Sequence, residues 1–204
     1  MARALLEADA ITLTPTAPVT FKSGLRSPVY VDSRRLIFHP GPWHIVIDAF
    51  ASAVRDRHDR VEVLAGVESA GIPHSSSLAF AEGLPSVFVR KEAKGHGLAR
   101  RIEGGDVTGR RVVLVEDMVT TGGSSLSAIE ALREAGATVT VCVAIITYGF
   151  AGTFESFEAA GVELEVLTTF ESVLGEAIDS GRLDEATAAP VRTWLTDPQA
   201  WQST

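Results

Sequence analysis

The chain has 204 residues, 46% of them hydrophobic and 22% charged, with 26 acidic against 18 basic side chains for a net charge of −8. That length suits one domain with a full core, and the acidic balance disfavours broad nucleic-acid binding while leaving room for a local basic patch. The single cysteine, Cys142, excludes an internal disulfide and reads as a buried core thiol. No apolar run nears the ~20 residues of a membrane span, and the N-terminus lacks a signal-peptide core, so the expectation is a cytoplasmic protein without membrane contact.

In chain order, residues 2–10 predict a short helix. Pro15, Pro18, Pro28 and Pro40 then break the chain into short extended pieces. Residues 1–40 are therefore expected as a small N-terminal hood over a core formed by residues 41–204. Trp43, Ile47, Phe50 and Val54, spaced by three or four, predict a helix over 42–57 with Pro42 at its first position. Residues 61–66 read as an apolar strand. Gly71 and Pro73 mark a turn before a helix over 72–82, which Gly83 ends. A strand over 86–89 delivers Arg90 and Lys91 at its end.

Residues 112–115 (VVLV) form a β-branched apolar run, the mark of a strand buried on both faces, with Glu116 and Asp117 at its carboxyl end. Leu126, Ile129 and Leu132 recur at helical spacing beyond a loop of Thr, Thr, Gly, Gly and Ser. Ser124 or Ser125 is placed to cap that helix and Gly136 to end it. A strand over 138–146, a helix over 154–160, a strand over 162–168 and helical segments over 173–180 and 183–195 complete the pattern. Strands alternating with helices predict an α/β fold, a doubly wound, mostly parallel sheet flanked by helices. Ligands of such sheets sit outside the carboxyl ends of the strands.

Two stretches there carry chemistry. The loop after Asp117 exposes backbone N–H groups and hydroxyls at a helix start, which suits phosphate. The acids before it can accept hydrogen bonds from sugar hydroxyls or face a divalent metal, so the expected ligand has both sugar and phosphate. Residues 90–101 (RKEAKGHGLARR) set five Lys and Arg against one acid, with Gly95 and Gly97 flanking His96. A glycine-hinged basic loop suits a lid that closes over an anion and excludes water. The GVESAGIP stretch, 66–73, is a weaker candidate for phosphate contact through its backbone. His39, His44, His58 and His74 show no partner pattern, and Trp43, Trp194 and Trp201 read as packing residues.

VVLVEDMVTTGGS resembles the 5-phosphoribosyl-1-diphosphate (PRPP) motif of type I phosphoribosyltransferases. FKSGLRSPVYVD (21–32) and VRKEAKGHG (89–97) are similar to signature segments of orotate phosphoribosyltransferases, with GVESAGIP in the expected order between them. The resemblance implies that Glu116 and Asp117 accept from the ribose 2′ and 3′ hydroxyls. Met118, Val119, Thr120, Thr121, Gly122, Gly123 and Ser124 would wrap the 5′-phosphate. Arg90, Lys91, Lys94 and His96 would meet the pyrophosphate, with Lys22 beside it and the base. Tyr30 and Val31 would hold orotate, which Thr120 also approaches. Lys94, His96 and Asp117 are the implied catalytic residues.

The resemblance further implies Mg²⁺ held mainly by PRPP and water, with no dedicated protein metal site, and a homodimer whose lid serves the neighbouring subunit. Two positions depart from the pattern. Ala70 stands where many members have Lys, and Thr147 and Tyr148 stand where many have the Arg that reads the orotate carboxylate. That task then falls to Lys22, Arg26 or backbone donors. Two other readings remain: a transferase for another base, such as a purine, and a non-catalytic PRPP-sensing regulator.

Overall fold

The computed structural model describes residues 1–14, 17–20, 24–57, 61–92 and 101–201. The chain opens with α1 (Ala2–Glu7) and continues through four short strands, β1 (Ile11–Leu13), β2 (Val19–Thr20), β3 (Arg26–Ser27) and β4 (Val29–Val31). A 3-10 helix (Ser33–Phe38) leads into α2 (Pro40–Arg57). Then come β5 (Val63–Val67), α3 (Gly71–Glu82), β6 (Ser86–Val89), β7 (Ile102–Glu103), β8 (Arg111–Val119) and α4 (Gly123–Glu134). The chain ends with β9 (Thr138–Thr147), α5 (Thr153–Ala159), β10 (Glu163–Thr169), α6 (Phe170–Asp179) and α7 (Glu185–Thr196).

Six strands form one sheet in the order β10-β9-β8-β5-β6-β7, parallel throughout except for β7, which runs antiparallel to β6 at the edge. The apolar runs build it because each central strand is covered on both sides. Along β8, Val113 and Val115 join one core with Leu64, Val143, Phe50 and the helices α1, α2, α6 and α7. Val112 and Leu114 join the other with Ala65, Cys142, Ala144, Ile129, Leu132 and Phe157. The β1–β4 and β2–β3 pairs are separate two-stranded sheets, apart from the six-stranded one. The strand order reverses between β5 and β8, which is where a doubly wound sheet opens its ligand crevice.

Several local expectations shift. The strand predicted over 112–115 extends to Val119, so Glu116 and Asp117 lie inside its last turn of pairing, opposite β9 at Ala144 and beyond. Neither Ser124 nor Ser125 caps α4: the N-cap is Gly122, with no side-chain hydrogen bond, and Ser125 is buried two residues inside the helix. Helix α2 begins at Pro40, so Pro42 sits within its first turn. Likewise Pro73 lies in the first turn of α3, where its missing N–H costs nothing. Edge strand β7 has only two residues and no periodicity to announce it.

Candidate active site

The carboxyl ends of β5, β6 and β8 bring three loops together. Those after β5 and β8 are packed tightly. A methyl group on Gly71, the first residue of α3, would sit 2.8 Å from the carbonyl oxygen of Val115 and 3.7 Å from Glu116 Oε2. Only glycine permits α3 to start this close to the acid-bearing strand. The loop after β5 is tied to β6 as well, because the Glu68 N–H donates to the Val89 carbonyl at 2.9 Å and the Glu68 carboxylate accepts from the Lys91 N–H at 3.0 Å.

Glu116 is 6% exposed, and its Oε2 has no hydrogen-bond partner among the described residues. Burial pushes its carboxyl well above the ordinary range, the adjacent Asp117 adds to that, and Lys91 opposes it. Asp117 is also raised by burial, against a hydrogen bond from the Ser33 hydroxyl and the N–H groups of Met118 and Asp117 itself. The two carboxyl groups interact directly, so the charge of each bears on the titration of the other. A buried acid with an unused oxygen is an orphan that a sugar hydroxyl or a cation would satisfy.

The glycine loop is braced from behind. Gly122 has φ +87°, and a methyl group on it would approach Phe157 Cε2 to 2.5 Å, so the loop backbone lies directly on the α5 aromatic ring. The Thr153 hydroxyl, at the start of α5, donates to the Thr120 carbonyl at 3.0 Å. Thr121, Gly123 and Ser124 remain exposed on the outer side. With no side chain capping α4, its first N–H groups are available to an anion.

The basic loop connects β6 to β7 and is closed at its base. The Arg90 N–H donates to the Arg101 carbonyl at 2.7 Å, and Arg101 Nε returns to the Arg90 carbonyl at 2.9 Å. Arg101 also donates to the Ser127 carbonyl and hydroxyl on α4, both at 3.0 Å, fastening the loop base to the phosphate-loop helix. The Arg90 guanidinium faces Glu103 at 3.6 Å. Lys91 is exposed at the strand end. Lys22, Lys94 and His96 lie outside the described residues, as do Gly95 and Gly97.

A cavity of roughly 690 Å³ opens beside the glycine loop. Its walls are Leu25, Tyr30 and Val31 from the N-terminal segment, Met118, Thr120 and Thr121, then Tyr148, Phe150 and Ala151 after β9, and residues 195–199 at the end of α7 and just beyond it. Trp194 ties these parts together by donating to the Arg26 carbonyl at 2.9 Å. The Arg26 side chain itself is exposed and does not line the cavity.

Ser33, Thr153, Phe157 and the 195–199 stretch are therefore structural partners of the site that sequence reasoning did not single out, and Arg101, expected only as part of the basic loop, proves to be its anchor on α4. Ser33 and Asp117 are 84 residues apart, and nothing local signals their contact. His74 is buried. Its Nδ1 accepts from Trp43 Nε1 at 3.1 Å, and burial lowers it to about 4, so it is a neutral packing group at the start of α3.

An acid pair, one member buried and one half-buried, running into a glycine loop at the switch point of a parallel sheet defines the phosphoribosyltransferase class, and the family model described as "Phosphoribosyl transferase domain" matches residues 39–173. The chain is 44% identical over 204 residues to an orotate phosphoribosyltransferase of Cereibacter sphaeroides, covering 98% of this chain and 88% of that one. Its fold matches the crystal structure of orotate phosphoribosyltransferase from Aeropyrum pernix with a TM-score of 0.77 and 32% identity, over 86% of this chain and 96% of that one. It also matches UMP synthase of Leishmania donovani with a TM-score of 0.83 and 30% identity; that match covers 95% of this chain but only 41% of the longer protein. The chain belongs to the orotate phosphoribosyltransferase family.

Proposed function

We propose that the chain transfers the 5-phosphoribosyl group of PRPP to orotate, giving orotidine 5′-monophosphate and pyrophosphate, the nucleotide-forming step of pyrimidine synthesis. The observation that carries this reading is the Glu116–Asp117 pair, buried at Glu116 and half-buried at Asp117, set shortly before an uncapped, glycine-rich helix start, in a chain similar over its whole length to orotate phosphoribosyltransferases. A ring nitrogen of orotate, having lost its proton, attacks the anomeric carbon. The bond to pyrophosphate breaks and its electron pair leaves with the diphosphate. The sugar passes through a cationic, oxocarbenium-like state, so the protein's task is to hold charge and exclude water.

Glu116 and Asp117 accept hydrogen bonds from the ribose 2′ and 3′ hydroxyls, whose arrival gives the orphan Glu116 Oε2 a partner. Backbone N–H groups of 118–124 and the hydroxyls of Thr120, Thr121 and Ser124 take the 5′-phosphate. Arg90, Lys91, Lys94, His96 and Lys22 balance the pyrophosphate, with Lys94 and His96 on a lid that acts in the neighbouring subunit of a cytoplasmic homodimer. Tyr30, Val31 and Thr120 border the orotate. Among the described residues no three His, Cys, Asp or Glu side chains gather as a metal cage, whereas the unused Glu116 oxygen suits a contact to hydrated cation or sugar. Mg²⁺ would arrive with PRPP and neutralise charge on the leaving group.

The test is an ultraviolet assay of orotate consumption with PRPP and Mg²⁺. Orotate absorbance should fall in step with pyrophosphate release. If PRPP binds but only a purine or uracil is consumed, or no base at all, the orotate assignment is lost.

A further inference from the structure

We propose that the hydroxyls of Tyr148 and Tyr30 together bind the carboxylate of the acceptor base, a role that rests on the orotate reading above. Among the described residues the cavity beside the glycine loop has no Lys or Arg in its walls, and its one charged lining side chain is Asp197, an acid. A carboxylate entering it needs donors, because leaving an anion unpaired in an apolar pocket costs several kcal/mol or more. Among the described lining residues, Thr120 and Thr121 belong to the phosphate loop, the Thr196 hydroxyl already donates to the Arg192 carbonyl, and Gln199 stands beside the like charge of Asp197, which leaves the two tyrosines as the donors best placed for a carboxylate.

Their surroundings prepare both phenols to donate. Tyr148 lines the cavity while only 6% exposed. Its ring is stacked on Phe150 at 5.2 Å, tilted against Phe170 at 5.4 Å and edge-on to Trp194 at 4.9 Å, so its position is set before ligand arrives. Its hydroxyl makes no hydrogen bond to any described residue, and Tyr30 bears on it electrostatically. Burial raises the Tyr148 phenol far above physiological pH, keeping its proton. Arg34 Nη2 donates to the Tyr30 hydroxyl at 3.4 Å while Arg34 Nε is held by Asp32 at 2.5 Å. A guanidinium can only donate, so Tyr30 accepts from it and keeps its own proton for the cavity. Tyr30 and Tyr148 line the same cavity and act on each other electrostatically, so their two O–H groups are both offered to one carboxylate.

Tyr148→Phe keeps the stacked ring and removes only the hydroxyl; Tyr30→Phe does the same at an exposed position and cannot fail through misfolding. With PRPP and Mg²⁺ present, each should raise KM for orotate roughly tenfold, equivalent to about 1.4 kcal/mol. KM for PRPP and the weak inhibition by uracil, which lacks the carboxylate, should stay within about twofold. Orotate KM unchanged in both variants, or orotate and uracil weakened equally, overturns the proposal while leaving the transferase reading intact. A wild-type protein that binds PRPP yet consumes no orotate overturns the reading beneath it instead.

Discussion

The loop after β8 and the loop between β6 and β7 face the same crevice but are built on opposite plans. The first carries its chemistry in the backbone: Gly122 lies against Phe157, Thr153 holds the Thr120 carbonyl, and the helix behind it starts with free N–H groups. The second is a run rich in long charged side chains, and its described base is tied down where Arg101 grips Arg90 and Ser127. The difference fits what each must do. A phosphate that stays put through the reaction is best met by donors fixed in advance, whereas a leaving group needs charge that can be brought up and withdrawn.

If that division is right, removing a charge from the second loop should slow chemistry without loosening the phosphate. Lys94→Ala should lower kcat by roughly 10²–10³-fold, the usual cost of one transition-state donor, with ribose 5-phosphate binding nearly unchanged by calorimetry. Unchanged turnover would remove the lid from the mechanism. The first loop should instead fail through its shape. Gly122→Ala adds a methyl group against Phe157 at a φ of +87°, and left-handed backbone plus overpacking should cost roughly 3 kcal/mol, read as a fall in melting temperature together with weaker PRPP binding.

Helix α3 supplies a control between the two loops. His74 falls from 6.5 to about 4 in the folded chain, because burial disfavours its cation. The unfolded chain therefore takes up the proton first, so this stability is complete above pH 6.5 and is lost as pH falls towards 4. Urea midpoints should drop by the equivalent of about 2 kcal/mol between pH 8 and pH 5, and His74→Asn should flatten that slope. The smallest effect is expected at the lid base. Arg101→Met should cost about 1–2 kcal/mol of local order, raising KM for PRPP several-fold with melting temperature little changed. A large loss of melting temperature would mean that Arg101 supports the core and not the loop.

Much of this plan is legible in the residues. The apolar run of β8, its two acids and the Thr-Thr-Gly-Gly loop announce themselves because local periodicity and composition encode a strand buried on both faces and a tight helix start. The basic loop is legible as composition. What holds either in place is not. Ser33 reaches Asp117 across 84 residues, Thr153 reaches Thr120 across 33, and Arg101 reaches Ser127 across 26. Such contacts are fixed by strand order, which no short window contains. The serine expected to cap α4 illustrates the limit: propensity favours a hydroxyl at the cap, but close contact with Phe157 demands Gly122 there. The cavity beside the glycine loop was the least legible, since it is assembled from four stretches that include the end of α7 and the residues just beyond it.

Trp194 has a practical consequence. Its indole ring packs nearly at right angles to Tyr148 and Phe150, centroids 4.9 and 5.2 Å away, and both of those rings line the cavity beside the glycine loop, while Trp43 is paired with His74 of α3. The molecule thus contains a native optical reporter for each half of its crevice. With Trp43 and Trp201 both changed to Phe, the emission that remains would report ligand entry through Trp194; with Trp194 and Trp201 changed, Trp43 would report rearrangement around α3. Order of substrate binding could then be read in real time, without dyes or labels.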